Sequence, residues 1–161
     1  MNIRSIAFGT AALVLTLTGC QATTPYTPET VTNVVEVSES QETIYNKARQ
    51  WFSEYFVSGE SVIDYEDPST GTIIGNGVAT IGTDPFGLIT HKINFSVRVD
   101  TKDNKFKVEY KIIKHTNTSD GQTYDVVNVS EDRREKAKQE VEKITADLRQ
   151  YIQSSSANDD W

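Results

Sequence analysis

Sulfur and imidazole side chains are scarce in this sequence. The 161 residues include one cysteine, one methionine and two histidines. A single cysteine excludes a disulfide within the chain, and two histidines without other thiols fall short of the ligand set of a structural zinc site. The fold must therefore be held together by its apolar core, which a chain of this length is able to bury.

Positive charge is also in short supply. Asp and Glu total 23 against 16 Lys and Arg, which gives a formal net charge of −7. Binding to nucleic acid depends on basic side chains that neutralise phosphates. We therefore expect no nucleic acid partner.

The N-terminus carries a short apolar run. Arg4 precedes the apolar residues from Ile6 to Leu17, and Thr10 and Thr16 interrupt them. A helix that crosses a bilayer needs about 20 apolar residues, and this run is shorter. A charged start, a short apolar stretch and small residues behind it are typical of a cleaved secretory signal.

The residues that follow, Leu17-Thr18-Gly19-Cys20, resemble the lipobox of bacterial lipoproteins. The resemblance implies that residues 1–19 are removed as a lipoprotein signal peptide and that Cys20 carries a lipid, which makes the membrane a partner. Gln21, where such proteins can have Asp, implies a lipid-anchored place in the cell envelope, at the outer membrane facing the periplasm. The signal takes Arg4 with it, so the mature charge is −8. The alternative is an ordinary thiol, or one that pairs with a second chain.

Two amphipathic helices are predicted from apolar spacing. The first begins at Ser38, because Gln41 completes a capping box, and ends at Ser58-Gly59. The second begins at Ser130 with Glu131 in its first turn, where the helix dipole favours an anion. Their expected buried residues are Ile44, Ala48, Trp51, Phe52 and Tyr55 in the first helix and Ala137, Val141, Ile144, Leu148 and Tyr151 in the second.

Between the helices the apolar residues recur with the period of two that predicts strands. After a first short strand at 34–37, we expect strands at 62–65 and 72–81, with a turn between them. The Gly75-Asn76-Gly77 segment lacks the Lys-Ser/Thr pair of a phosphate loop. It favours a bulge or a tight contact within the sheet.

The clearest alternation covers residues 89–100 and 105–112. The residues between them, 101–104, are suited to a tight turn, so the two segments predict an antiparallel hairpin. Residues 116–123 are polar and are predicted as a loop, and residues 124–129 as a short extended piece.

This order of elements predicts an α+β fold in which two helices pack on one face of a curved antiparallel β-sheet. Residues 20–32, rich in Thr and Pro, are expected to be a lipidated N-terminus and flexible tether. A single domain then covers residues 33–153, and residues 154–161 are expected to be a disordered tail.

Several packing and turn residues also resemble a known family. Ile44-Tyr45, Trp51-Phe52, Val62-Ile63, the Gly71-Thr-Ile-Ile-Gly-Asn-Gly77 stretch and the later hairpin are similar to a bacterial domain family of unknown function with a TATA-binding-protein-like fold. The resemblance covers residues 33–115. It implies this fold and export, often as a lipoprotein, and it implies no reaction.

Candidate catalytic groups are few. His91 lies in phase with the apolar residues of its strand and is expected to pack in the core or at its rim, and the other histidine is His115. Asp64, Glu66 and Asp67 could form a carboxylate pair, but their spacing matches no calcium loop. We therefore expect no enzyme activity, cofactor or metal. The alternative is a small envelope hydrolase or sugar-processing enzyme built on Asp64–Asp67 and His91.

Cationic side chains gather on the outward positions of the predicted hairpin. They are Lys92, Arg98, Lys105, Lys107 and Lys111. Only Asp100 and Glu109 oppose them on that face. This cationic strip favours a membrane-anchored, non-enzymatic module that binds a protein or an anionic envelope ligand through an open sheet face. The alternatives are a strip that only keeps the sheet soluble and a structural subunit of an envelope assembly.

Overall fold

The structure is a computed structural model that describes residues 26–56 and 62–154. The predicted signal peptide, Cys20 and residues 155–161 lie outside these ranges. The elements are β1 (Glu29–Glu36), α1 (Gln41–Tyr55), β2 (Val62–Asp67), β3 (Thr72–Thr83), β4 (Thr90–Lys102), β5 (Lys105–Ser119), β6 (Gln122–Val126) and α2 (Glu131–Gln153).

The strands form one antiparallel six-stranded sheet in the order β1-β5-β4-β3-β2. β6 pairs with the C-terminal part of β5, on the edge where β1 pairs with its N-terminal part. Both helices pack on one face of the sheet. This arrangement confirms the predicted α+β fold.

The core lies between the helices and this face. Alternate residues of β4 and β5 point toward the helices and are buried, among them Phe95 and Tyr110. Trp51 of α1 is buried as predicted, and its indole N–H donates a hydrogen bond of 2.7 Å to Asp147 of α2. That bond satisfies the one polar group of the ring and joins the C-terminal halves of the two helices.

The helix prediction needs three corrections. α1 is capped by Ser40 instead of Ser38, because Val37 and Glu39 are hydrogen-bonded to the Asn104 backbone and continue the extended chain. Tyr55 is 42% exposed and stacks on Trp51 from outside the core. In α2, Ile152 is buried where Tyr151 had been predicted, and Tyr151 is only half-buried. Ser130 caps α2 as predicted.

The strand prediction is wrong at two places along the edge of the sheet that β1 and β6 form. β1 begins at Glu29, so residues 29–32 belong to the sheet and not to the tether. β5 continues to Ser119 and returns as β6, so the predicted loop at 116–123 is wrong. The turn is Asp120-Gly121 with φ of 51° and 75°, and Asp-Gly is the dipeptide that such tight hairpin turns favour.

Both expectations for Gly75-Asn76-Gly77 are confirmed: the β3–β4 register is regular there, but β2 bulges at Asp64, opposite Gly75, and Gly77 makes a tight contact. A Cβ placed on Gly77 would lie 2.7 Å from Cζ of Phe95 and 3.0 Å from Cε1 of Phe56. The aromatic rings therefore rest directly on the backbone of β3, which only glycine allows.

Candidate functional site

One face of the sheet has no helix across it and is here called the open face. Arg98 and Lys111 are exposed on it, while their strand neighbours point into the core. Tyr65, 51% exposed, and Val34, 65% exposed, lie on the same face. The face therefore combines charged and apolar side chains, as protein-binding surfaces do.

The strongest charge arrangement on the open face centres on Asp100. Its carboxylate accepts hydrogen bonds from Arg98 at 2.9 and 3.0 Å and lies 3.0 Å from the Lys107 ammonium. Thr72 adds a hydroxyl donor at 3.0 Å. The three donors come from three neighbouring strands, β4, β5 and β3, which fixes the carboxylate in the sheet.

The pKa of Asp100 reflects these contacts. Partial burial acts to raise the pKa, but the hydrogen bonds from Arg98, Lys107 and Thr72 outweigh it and hold the pKa at about 2. Asp100 is therefore ionised at neutral pH and keeps the two cations in a defined geometry.

A groove of about 500 Å³ opens beside this cluster. Its charged lining residues are Arg98, Asp100, Lys102, Lys105 and Lys107, and it also contains Val34 and Phe106. Four cations face one anion, so the groove is positive on a protein of net negative charge. Lys102 and Lys105 form no ion pair within the described ranges.

The groove contains only part of the predicted cationic strip. Arg98, Lys105 and Lys107 line it, together with Lys102, which the alternation pattern did not single out. Lys111 pairs with Ser96. It lies four residues beyond Lys107 on β5, a distance of about 13 Å by the rise of a strand. Lys92 lies further still, opposite Thr116. The strip is therefore not one continuous site.

The second chemically unusual place lies where β1 and β6 meet end to end. His115 is fully buried there, because a bulge at Ile113 shifts the register of β5 so that residue 115 points toward the helices. The edge of its ring packs against Tyr26, with centroids 5.1 Å apart. Neither ring nitrogen has a hydrogen-bond partner in the described part of the chain.

Burial and the nearby Arg133 guanidinium lower the pKa of His115 to about 4. His115 is therefore neutral at physiological pH and shut away from solvent. The ring is fully buried and belongs to the core.

His91 lies at the rim of the core near His115. This confirms one of the two positions predicted for it. Its Nδ1 is 2.8 Å from Oδ1 of Asn117, which also accepts a 2.9 Å hydrogen bond from Arg133. An amide oxygen only accepts, so Nδ1 of His91 must carry the proton. Arg133 also donates to the Thr116 carbonyl at 3.2 Å. The group fastens α2 to β4 and β5.

The carboxylates proposed for the alternative enzyme lie elsewhere. Asp64 on β2 is hydrogen-bonded to Asn76, which pairs with Ser96 on β4. His91 is five residues further along β4, about 17 Å by strand rise. Glu66 forms an ion pair with Arg49. The sheet therefore does not bring His91 together with the acidic residues of β2.

Two further features bear on the site. Among residues 26–56 and 62–154, no three His, Cys, Asp or Glu side chains come together as a metal-binding group. Neither described helix is long and apolar enough to cross a membrane.

Comparison with known proteins supports the fold. The family described as "Domain of unknown function (DUF4468) with TBP-like fold" matches residues 32–116. A solved DUF4468 family protein from Bacteroides ovatus is similar, with 17% identity, a TM-score of 0.59 and coverage of 80% of this chain and 88% of that one. A TBP-like protein from Parabacteroides distasonis has 16% identity, the same TM-score, and coverage of 79% and 94%. Comparison with curated proteins found no match.

The family match contains α1, the strands β2, β3 and β4, and most of β1 and β5. The family match spans more than half of the chain, and the resemblance noted in the sequence is confirmed. The chain belongs to the DUF4468 family of domains of unknown function with a TBP-like fold.

Proposed function

We propose that this protein is a lipoprotein of the bacterial cell envelope, anchored through Cys20, whose domain binds an acidic segment of a partner protein in the groove around Asp100. It acts without catalysis. The observation that carries the proposal is the gathering of Arg98, Lys102, Lys105 and Lys107 around a single carboxylate on an otherwise acidic protein.

The electrostatics of the groove suit a carboxylate-rich ligand. Arg98 and Lys107 are already held in place by Asp100, so a ligand does not have to order them. Lys102 and Lys105 supply two more cations, and neither forms an ion pair in the described ranges, where Glu36 is the residue opposite Lys105. The rest of the protein is net negative and repels an acidic partner, so such a partner is favoured only at the positive groove, which gives selectivity through charge.

The apolar part of the lining favours a peptide over a fully hydrated polyanion. Val34 is 65% exposed at the groove and supplies its apolar surface, whereas the Phe106 side chain is fully buried on the core side of the sheet. A protein segment that alternates acidic and apolar side chains would satisfy both the cations and these carbons.

Anchoring is tested first. In a bacterial host that processes lipoproteins, the wild-type chain should incorporate labelled fatty acid and sediment with membranes, and Cys20→Ser should do neither. A wild-type chain that takes up no fatty acid would end this half of the proposal.

Binding is tested with a charge-matched pair of variants. Lys102, Lys105 and Lys107 are changed together to Glu in the groove, and Lys136, Lys138 and Lys143 are changed together to Glu on α2. Both variants alter the net charge equally. Acidic proteins crosslinked in envelope extract are identified by mass spectrometry at low and moderate salt.

We expect the wild type and the α2 variant to retain a salt-sensitive acidic protein that the groove variant loses, since screening weakens exposed charge pairs. Equal capture by both variants would refute the groove as the binding site. Capture of an anionic glycan in place of a protein would refute the choice of ligand.

A further inference from the structure

We propose that the β3–β4 loop, residues 84–89, rests in the interfacial region of the lipid bilayer, so that this end of the sheet faces the membrane. The inference rests on the proposed lipid anchor at Cys20. It concerns a different part of the molecule from the groove.

The loop exposes large apolar side chains. Phe86 is 82% exposed, Leu88 is 68% exposed and Ile89 is 36% exposed. The first two lie within three residues of each other at the tip of a hairpin, without a charged residue between them. Contiguous exposed apolar side chains mark a surface that meets an apolar partner, and aromatic side chains favour the membrane interface.

The loop is held in one shape by its own hydrogen bonds. The carboxylate of Asp84 accepts the backbone N–H of Ile89 at 2.6 Å and that of Phe86 at 3.3 Å. The Asp84 backbone also bonds to Ile89 and Gly87. Gly87 has a φ of 73°, which glycine adopts without strain. The apolar side chains are thus displayed on a rigid support, so little order is lost when they are buried.

The chain before β1 points to this end of the sheet. β1 runs away from the loop, so its N-terminal side is directed toward the loop. Tyr26 is fixed at that side: its ring meets His115 and Arg134, and its hydroxyl donates to the Ile112 carbonyl at 3.4 Å. Residues 20–25 are then all that separates the lipid from this fixed point.

Chain length limits how far the anchor can lie from the loop. Six residues, 20–25, extend at most about 20 Å. His115 pairs with Ile93, and from there β4 needs only three more residues, about 10 Å, to reach Thr90 at the base of the loop. The base of the loop therefore lies within the distance that the tether can bridge.

The opposite end of the sheet lies beyond that reach. From Ile93 to Lys102 β4 extends nine residues, about 30 Å by strand rise. That end carries the charged turn at Asp103 and the groove lysines. A bilayer held by Cys20 thus meets the apolar loop and leaves the groove turned away from the membrane, accessible to a soluble partner.

The experiment uses the full chain with one added cysteine, since Cys20 is the only cysteine present. Leu88→Cys places a thiol in the loop, and Val34→Cys places a matched thiol on the open face, where the native side chain is 65% exposed against 68% for Leu88. Each purified chain is labelled with an environment-sensitive fluorophore. It is then reconstituted into vesicles of phosphatidylethanolamine and phosphatidylglycerol with brominated acyl chains, after mass spectrometry has established acylation.

We expect the probe at Leu88 to lose most of its fluorescence to the brominated chains and to shift its emission to the blue, while the probe at Val34 keeps both signals. Acylated protein with neither probe quenched would overturn the loop inference and leave the anchor intact. Equal quenching of both probes would also overturn it, because the bilayer would then meet the open face. A chain without the acyl mass would remove the anchor and this inference together.

Discussion

The free energy of unfolding should depend on pH through His115 between about pH 4 and pH 6.5. The pKa of His115 is held at about 4 in the folded chain, against an ordinary value of 6.5. Between these values the unfolded chain takes up a proton at this side chain and the folded chain does not. The stability contributed by neutral His115 is therefore complete above pH 6.5 and is lost as the pH falls toward 4.

The expected size follows from the difference in pKa. A difference of about 2.5 corresponds to about 3 kcal/mol of unfolding free energy, at 1.36 kcal/mol for each pKa unit. For a domain of this length such a change lowers the melting temperature by about 10 °C. The groups around the ring are consistent with a lowered pKa of His115. Arg133 repels a second positive charge, and the neighbours Tyr26, Ile93 and Val126 carry no carboxylate that would stabilise one.

The assay is urea unfolding followed by tryptophan fluorescence from pH 7.5 to 4, since Trp51 is buried. His115→Phe keeps an aromatic ring against Tyr26 and cannot titrate, so its stability should change much less between pH 6.5 and 4. His91→Phe is the matched control, because it replaces the other histidine and leaves the His115 site in place. Wild type and His115→Phe with equal losses over this range would refute the reasoning. Asp67, Asp84 and Asp100, whose pKa values are lowered, lose their stabilisation only below pH 3.8, outside the window.

Two further predictions concern packing. Trp51→Ala should lower the unfolding free energy by about 3–5 kcal/mol, because it empties a buried site and removes the hydrogen bond to Asp147. Tyr55→Ala, on the exposed side of the same helix, should lower it much less. Equal denaturation midpoints for the two variants would contradict the assigned helix face. Gly77→Ala should cost about 1–3 kcal/mol, because its Cβ would lie 2.7 Å from the Phe95 ring. Phe95→Leu in the Gly77→Ala background should restore part of that loss relative to the sum of the single changes, and simple additivity in thermal unfolding would count against a direct clash.

Local patterns in the sequence were sufficient for much of the architecture. Apolar spacing located both helices and the central hairpin, because one face of each element must be buried and the period of burial is set by the backbone. Burial of Trp51 and the Ser130 cap were predicted in this way. The Asp120-Gly121 turn was also readable from sequence, although the polar residues around it favoured a loop and hid β5 and β6 there.

The tertiary structure determined features that the spacing of apolar residues in the sequence could not indicate. Burial of His115 depends on a bulge at Ile113, a change of register that leaves no mark in the pattern of single residues. The groove depends on which strands are neighbours: Thr72 and Lys107 meet Asp100 only because β3, β4 and β5 pair in one register. The sequence by itself determined which faces would be buried. Long-range strand pairing, which is set by the packing of the whole sheet, decided which charged side chains would become neighbours.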